Sequence, residues 1–119
     1  MIACASARNV VCKHVTAANT YYVDLGPLLE TAETVSSITT IDAEDSALTV
    51  QNGVVLTVDT TVLDENGKSL TIEANTGISF ELSGGTPDNG ATKVTVEFVM
   101  STGKTEGLDC LIDVQGRDV

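Results

Sequence analysis

The chain has 119 residues, a net charge of −11 and an isoelectric point near 4.1, which leaves room for one domain, able to bury roughly 65% of the surface its unfolded form exposes. Apolar residues make up 42% of it, chiefly Val, Ile, Leu and Ala, and only two prolines occur; this excludes a disordered tail and favours strands, because β-branched side chains suit a pleated surface. The acidity excludes a nucleic-acid-binding surface, which needs clustered Lys and Arg to displace counterions from phosphate.

Residues 1–19 show no clean period of either 2 or 3.6. They hold small residues, the pair Val10-Val11 and the polar groups Arg8, Lys13 and His14, and read as an extended N-terminal arm ahead of a domain over residues 20–119. Residues 1–23 carry Arg8 and Lys13 and no acid, a charge of +2, whereas residues 24–119 hold all 17 acids against four bases, a net −13. A basic arm of this kind suits an acidic neighbouring surface. The arm lacks the apolar run of a secretion signal and no stretch approaches a membrane-spanning length, so the expectation is synthesis in the cytosol and no membrane partner. Cys4, Cys12 and Cys110 form an odd set without CxxC or Cys/His spacing, which implies neither a disulfide framework nor a zinc site.

Alternation begins at Thr20-Tyr21-Tyr22-Val23-Asp24-Leu25, and Gly26-Pro27 breaks or bends that first strand. A second, Ser/Thr-rich strand over Glu33–Ile41 leads into the acidic turn Asp42-Ala43-Glu44-Asp45-Ser46. Leu48-Thr49-Val50 and Val54–Val58 flank Asn52-Gly53, a dipeptide that accepts positive φ and so predicts a tight hairpin. Another Asn-Gly turn, Asn66-Gly67, lies between Thr60–Leu63 and Ser69–Ala74, where Leu70, Ile72 and Ala74 face one way. Ile78, Phe80 and Leu82 alternate with polar residues, as do Val94, Val96, Phe98 and Met100, and then Leu108, Cys110, Ile112 and Val114. About seven to eight short strands with turns every 8–12 residues predict an all-β, immunoglobulin-like antiparallel sandwich.

No constellation for catalysis accompanies this pattern. His14 is the one histidine, and the acids are spread over turns and wet strand faces rather than paired in a cleft. Asp42, Glu44 and Asp45, with Asp24, have the hard oxygen ligands calcium prefers but match no known loop spacing, and read as a solubilising turn. Gly84-Gly85 is followed by no helix that would help cradle a phosphate. Four aromatic residues are too few for a stacking platform. The expectation is therefore no enzyme, no metal and no cofactor.

The runs Tyr21–Leu29, Glu33-Thr34-Val35-Ser36-Ser37, Ser46–Val50, Ile78-Ser79-Phe80-Glu81-Leu82-Ser83-Gly84-Gly85-Thr86 and Thr95–Gly103 resemble, in this order, small virion proteins of tailed bacteriophages. The resemblance covers residues 20–115; Tyr21 and Tyr22 stand in a segment where that family is usually richer in Trp. It implies an immunoglobulin-like structural protein of the virion, without choosing its location; the expectation is a capsid decoration (cement) protein bound to the major capsid protein, or alternatively a tail, baseplate or fibre subunit, and a reading of another class is an adhesin-like module that binds host carbohydrate through calcium near Asp42, Glu44 and Asp45. A cement protein binds many equivalent sites through an arm or a strand edge, and a homo-oligomer, trimer or dimer, would add avidity. The residues expected to meet the partner at the capsid surface are Arg8, Lys13, His14, Tyr21 and Tyr22.

Overall fold

The computed structural model describes residues 3–4, 10–63 and 67–116. Ten strands form among them: β1 (Ala3–Cys4), β2 (Val10–His14), β3 (Asn19–Asp24), β4 (Val35–Ala43), β5 (Leu48–Val55), β6 (Thr60–Leu63), β7 (Ser69–Ile72), β8 (Gly77–Gly84), β9 (Ala91–Met100) and β10 (Thr105–Gln115), with a 3-10 turn at Gly26–Leu28. Two four-stranded sheets, β1-β3-β8-β5 and β2-β10-β9-β4, face each other, and β6–β7 is a separate hairpin. Pairing is antiparallel except for β1 with β3 and β2 with β10. The chain changes sheet from β3 to β4, from β4 to β5 and from β8 to β9, then turns back from β9 into β10 within one sheet. This is the strand order of an immunoglobulin-like sandwich, as the alternation of the sequence leads one to expect.

The inward faces carry the core. Tyr21 and Val23 of β3 lie opposite Phe80 and Ile78 of β8; Val94 of β9 lies opposite Cys110 of β10. Together with Leu25, Leu82, Val96, Phe98, Ile112 and Val114 they are withdrawn from water, and each fully buried side chain of this kind stabilises by roughly 1.5–3 kcal/mol. Thr95, Glu97, Asp109 and Asp113 alternate with these residues on the outer face of the second sheet. Strand propensity, period and burial agree along the last three strands, which is why their side-chain facing was readable from sequence.

Two features differ from the sequence expectation. Asn52-Gly53 makes no hairpin: β5 runs through it, with a register shift between Gln51 and Val54 against β8 and Asn52 at φ 57°. The positive φ that permits a tight turn equally permits a bulge. A Cβ on Gly53 would stand 2.8 Å from the Ile41 Cδ1 methyl, so the bulge lets β4 close against β5 along the open side of the sandwich. At the other Asn-Gly site, β6 and β7 pair antiparallel and Gly67 stands at φ 78°; Asn66 lies outside the described residues.

The segment read as an arm also differs. Val10–His14 is the edge strand of the second sheet, paired in parallel with Leu111–Gln115, Ala3–Cys4 pairs with β3, and Asn19 already belongs to β3. Lys13 lies in register with inward-facing Val114 and is 1% exposed. A lysine at a core-facing place in so short a strand erases the apolar alternation that would have revealed it.

The β6–β7 hairpin forms a third layer. Val62 and Ile72 are buried with Tyr22, Leu56 and Leu70 around them, against the outer face of the first sheet. Gly77 makes the approach possible, since a Cβ there would collide with Ile72 Cγ2 and stand 2.8 Å from the Val23 carbonyl.

Candidate functional site

Side-chain chemistry concentrates at the two ends of the sandwich and on its open edges. At one end, the Lys13 ammonium donates to the Gly84 carbonyl at 2.8 Å and lies 3.5 Å from the Val15 carbonyl. The Gly85 amide donates to Ala47 O at 3.0 Å, and Asp45 accepts from the amides of Ala47 (2.9 Å) and Thr86 (2.6 Å) and from the Thr86 hydroxyl (3.1 Å). Gly84 and Gly85, at φ 74° and 109°, belong here because a Cβ on the first would press on Ala47 O at 2.7 Å and one on the second on Val114 Cγ2 at 2.7 Å. Burial pulls the Lys13 ammonium below its ordinary value. The amides of Ala47 and Thr86 hold Asp45 below the usual carboxylate range, desolvation opposing them and the Thr86 hydroxyl adding to them.

The opposite end joins the β3–β4 loop to the β9–β10 turn. Glu33, 6% exposed, accepts from the Thr102 hydroxyl and from its own loop at the Glu30 amide. The Thr34 amide donates to Ser101 Oγ at 3.0 Å, and the Ser101 amide returns a bond to Thr34 O at 2.7 Å. Lys104 and Glu30 form an ion pair at 3.2 Å, both largely exposed, worth little by itself. The Thr102 hydroxyl and then the Glu30 amide lower the Glu33 carboxyl below its usual value, with Lys104 as the smallest contributor and desolvation working against all three.

Searches against protein-family models, curated proteins and solved structures find no match.

The residues expected to meet a partner are scattered by this architecture. Lys13 and Tyr21 are corrections to the sequence reading: both are buried, the first bonded to Gly84, the second with its ring stacked on Phe80 at 6.2 Å between centroids. Their exposure was inferred from polarity and from position near the chain start, whereas each occupies an inward register position. Tyr22 is half-buried beneath the β6–β7 hairpin. His14 closes β2 opposite Gln115, but its side chain, like all of Arg8, lies outside the described residues.

What the surface offers is polar and shallow. On the outer face of β9 and β10 the Thr95 hydroxyl donates to Asp109 at 2.7 Å, and Gly107 opposite Glu97 leaves a trough lined by Thr105, Glu106 and Leu108. The acidic turn does not gather ligands: Asp45 turns towards Thr86, and among the described residues no group of three or more His, Cys, Asp or Glu is placed to hold a metal ion. Among the described residues no helix is long and apolar enough to cross a membrane. Sequence reasoning missed Glu33 and Asp45 as joint-making acids; a Ser/Thr partner dozens of positions away leaves no local signature, although Asp45-Ser46-Ala47 has the spacing of an Asx turn.

Proposed function

We propose that this chain is a non-enzymatic structural protein of a tailed-phage virion, a capsid decoration protein that binds the major capsid protein at the shell surface. The observation that carries the reading is where the resembling segments fall. Tyr21–Leu29, Glu33–Ser37, Ser46–Val50, Ile78–Thr86 and Thr95–Gly103 coincide with β3, β4, β5, β8 and β9 and with the joints beside them. Ser83-Gly84-Gly85-Thr86, the most distinctive of these motifs, is the point where Lys13, Ala47 and Asp45 converge. Its glycines serve a rigid joint and its threonine a clasp, which suits a module that must present a fixed surface to many equivalent sites.

Contact with the shell falls to the open side of the sandwich rather than to Lys13 or Tyr21. β4 is an edge strand from Val35 to Ala43, and its outward residues Ser37, Thr40 and Asp42 are exposed. Its free backbone edge accepts a strand or loop of a neighbouring subunit through main-chain hydrogen bonds. The net −13 of residues 24–119 keeps such a protein soluble and away from packaged DNA.

The test is co-sedimentation of the purified chain with phage shells that lack it. Saturable binding at many copies per particle is expected, and Thr39→Lys, which places a charge on the bulged β4 edge, abolishes it without changing the circular dichroism spectrum. A few copies per particle points instead to a tail or baseplate subunit. No binding to heads or tails overturns the virion reading.

A further inference from the structure

The dipeptide Asn-Gly occurs at Asn52-Gly53, Asn66-Gly67 and Asn89-Gly90, and its chemistry goes beyond turn geometry. An asparagine side-chain amide can close a succinimide ring with the main-chain nitrogen that follows it. A glycine at that next position has no Cβ to obstruct the approach and adopts backbone angles closed to other residues. Whether the two groups meet depends on how the fold holds them, because a misplacement of about 1 Å costs orders of magnitude in rate.

The first and last of these pairs are held differently. Asn52-Gly53 sits inside β5, between Gln51 and Val54, which pair with Glu81 and Ser79 of β8. A Cβ on Gly53 would stand 2.8 Å from Ile41 Cδ1, so β8 and β4 both confine this stretch of backbone. Asn89-Gly90 lies in the β8–β9 loop. That loop is fixed at Thr86 by Asp45 and at Asp88, whose amide donates to the Val114 carbonyl at 2.8 Å. The β9–β10 ladder begins only at Ala91, which leaves Asn89 and Gly90 spanning the interval between two anchors. A Cβ on Gly90, at φ 77°, would meet nothing within 4 Å, so its backbone has room to swing onto the Asn89 side chain. Both pairs are exposed to solvent; constraint, and not access to water, separates them.

We propose that Asn89 is a self-modifying site, which closes a succinimide with Gly90 in the folded protein and opens to aspartate and isoaspartate. The Gly90 nitrogen bonds to Asn89 Cγ, the Cγ–Nδ2 bond breaks, and the Nδ2 group leaves as ammonia with the proton that Gly90 gives up. Water then adds across one of the two ring bonds to that nitrogen. Opening at Cγ leaves an aspartate in a normal main chain. Opening at the main-chain carbonyl carbon leaves an isoaspartate, with the chain running through the former side chain. Either product carries a new carboxylate, in a hollow that Glu44 and Asp45 already line. The modification belongs to the isolated chain and is independent of the virion reading.

The full-length chain is incubated at mildly alkaline pH, folded and in concentrated urea, and digested after increasing times. Each Asn-Gly peptide is followed by mass, which registers the exchange of NH2 for OH, and by labelling with isoaspartyl methyltransferase. In the folded chain, conversion at Asn89 is expected to outrun that at Asn52 by about tenfold or more. In urea the two rates should converge, since each asparagine then precedes the same residue type in an unconstrained chain. Asn89→Gln, whose extra methylene disfavours the ring, should remove the label from its peptide. Equal rates in the folded chain, a ratio that survives urea, an Asn89 peptide that gains no mass, or a label that persists in Asn89→Gln overturns the proposal.

Discussion

The Lys13 ammonium meets the Gly84 carbonyl at 2.8 Å across 71 positions of sequence, tying the first edge strand of one sheet to the last residue of a strand in the other. The contact spans the sandwich at the end where Asp45 clasps Thr86, so one buried cation and one half-buried anion fix the same loop from two sides.

Truncating that lysine removes both a donor and the volume of a buried chain. Lys13→Ala is expected to lower unfolding free energy by about 2–4 kcal/mol, and Lys13→Met, which keeps the volume, by less than half as much. Urea denaturation of the two variants beside the parent chain checks the order. The pH dependence has a definite sign. Burial lowers the Lys13 pKa from 10.5, so the native state releases this proton before the unfolded chain does, and stability rises with pH in the window just below 10.5. Lys13→Met, which has no such proton to release, should lose that alkaline gain.

Glu33 and Asp45 work in the opposite direction. Both are held below their ordinary values of 4.5 and 3.8, so their contribution is fully present above those values and is lost as pH falls through the lower, folded ones. Melting temperatures of Glu33→Gln and Asp45→Asn should lie below the parent at neutral pH by a few degrees and converge with it in acid. The convergence is diagnostic because protonating the many other acids relieves self-repulsion equally in parent and variants.

The acidic turn should be indifferent to calcium. Asp45, the member of Asp42-Ala43-Glu44-Asp45 aimed at the joint, already accepts three hydrogen bonds from Ala47 and Thr86, and a cation would have to displace them. Millimolar calcium or a chelator should leave the melting temperature unchanged, while Asp45→Asn lowers it in either condition. A calcium-dependent rise confined to the parent chain would contradict this account.

The sandwich was legible wherever period and burial agreed. Val94, Val96, Phe98 and Met100 are all buried, because a strand in the middle of its sheet has one face against the core and one in water. Legibility failed where one local signal serves two structures. The dipeptide that predicts a hairpin turn at Asn52-Gly53 makes a bulge there, and the reason lies in Ile41, which packs over Gly53 from another strand. Lys13 failed for a related reason: its polarity argues for the surface, while its partner, a backbone carbonyl at Gly84, is invisible to any reading of side chains. The joints at Glu33 and Asp45 rest on threonines far away in sequence, and only the closed fold brings them together.

The third layer supplies the sharpest steric test. Gly77 opens β8 opposite Asp24, and a methyl group there collides with Ile72 Cγ2 and crowds the Val23 carbonyl at 2.8 Å. The carbonyl belongs to a paired strand and cannot withdraw, so Ile72 must, and with it the hairpin that shelters Tyr22, Leu56 and Leu70. Gly77→Ala is therefore expected to destabilise by about 1–3 kcal/mol and to raise solvent exposure at Tyr22, read as faster quenching of tyrosine fluorescence. Gly67→Ala is the control. It also adds a methyl group, at φ 78°, but meets nothing within 4 Å, so it should cost about 1 kcal/mol of backbone strain and leave the tyrosine signal unchanged. If both variants expose the tyrosine equally, the hairpin is held by its own turn and not by its seat on β8.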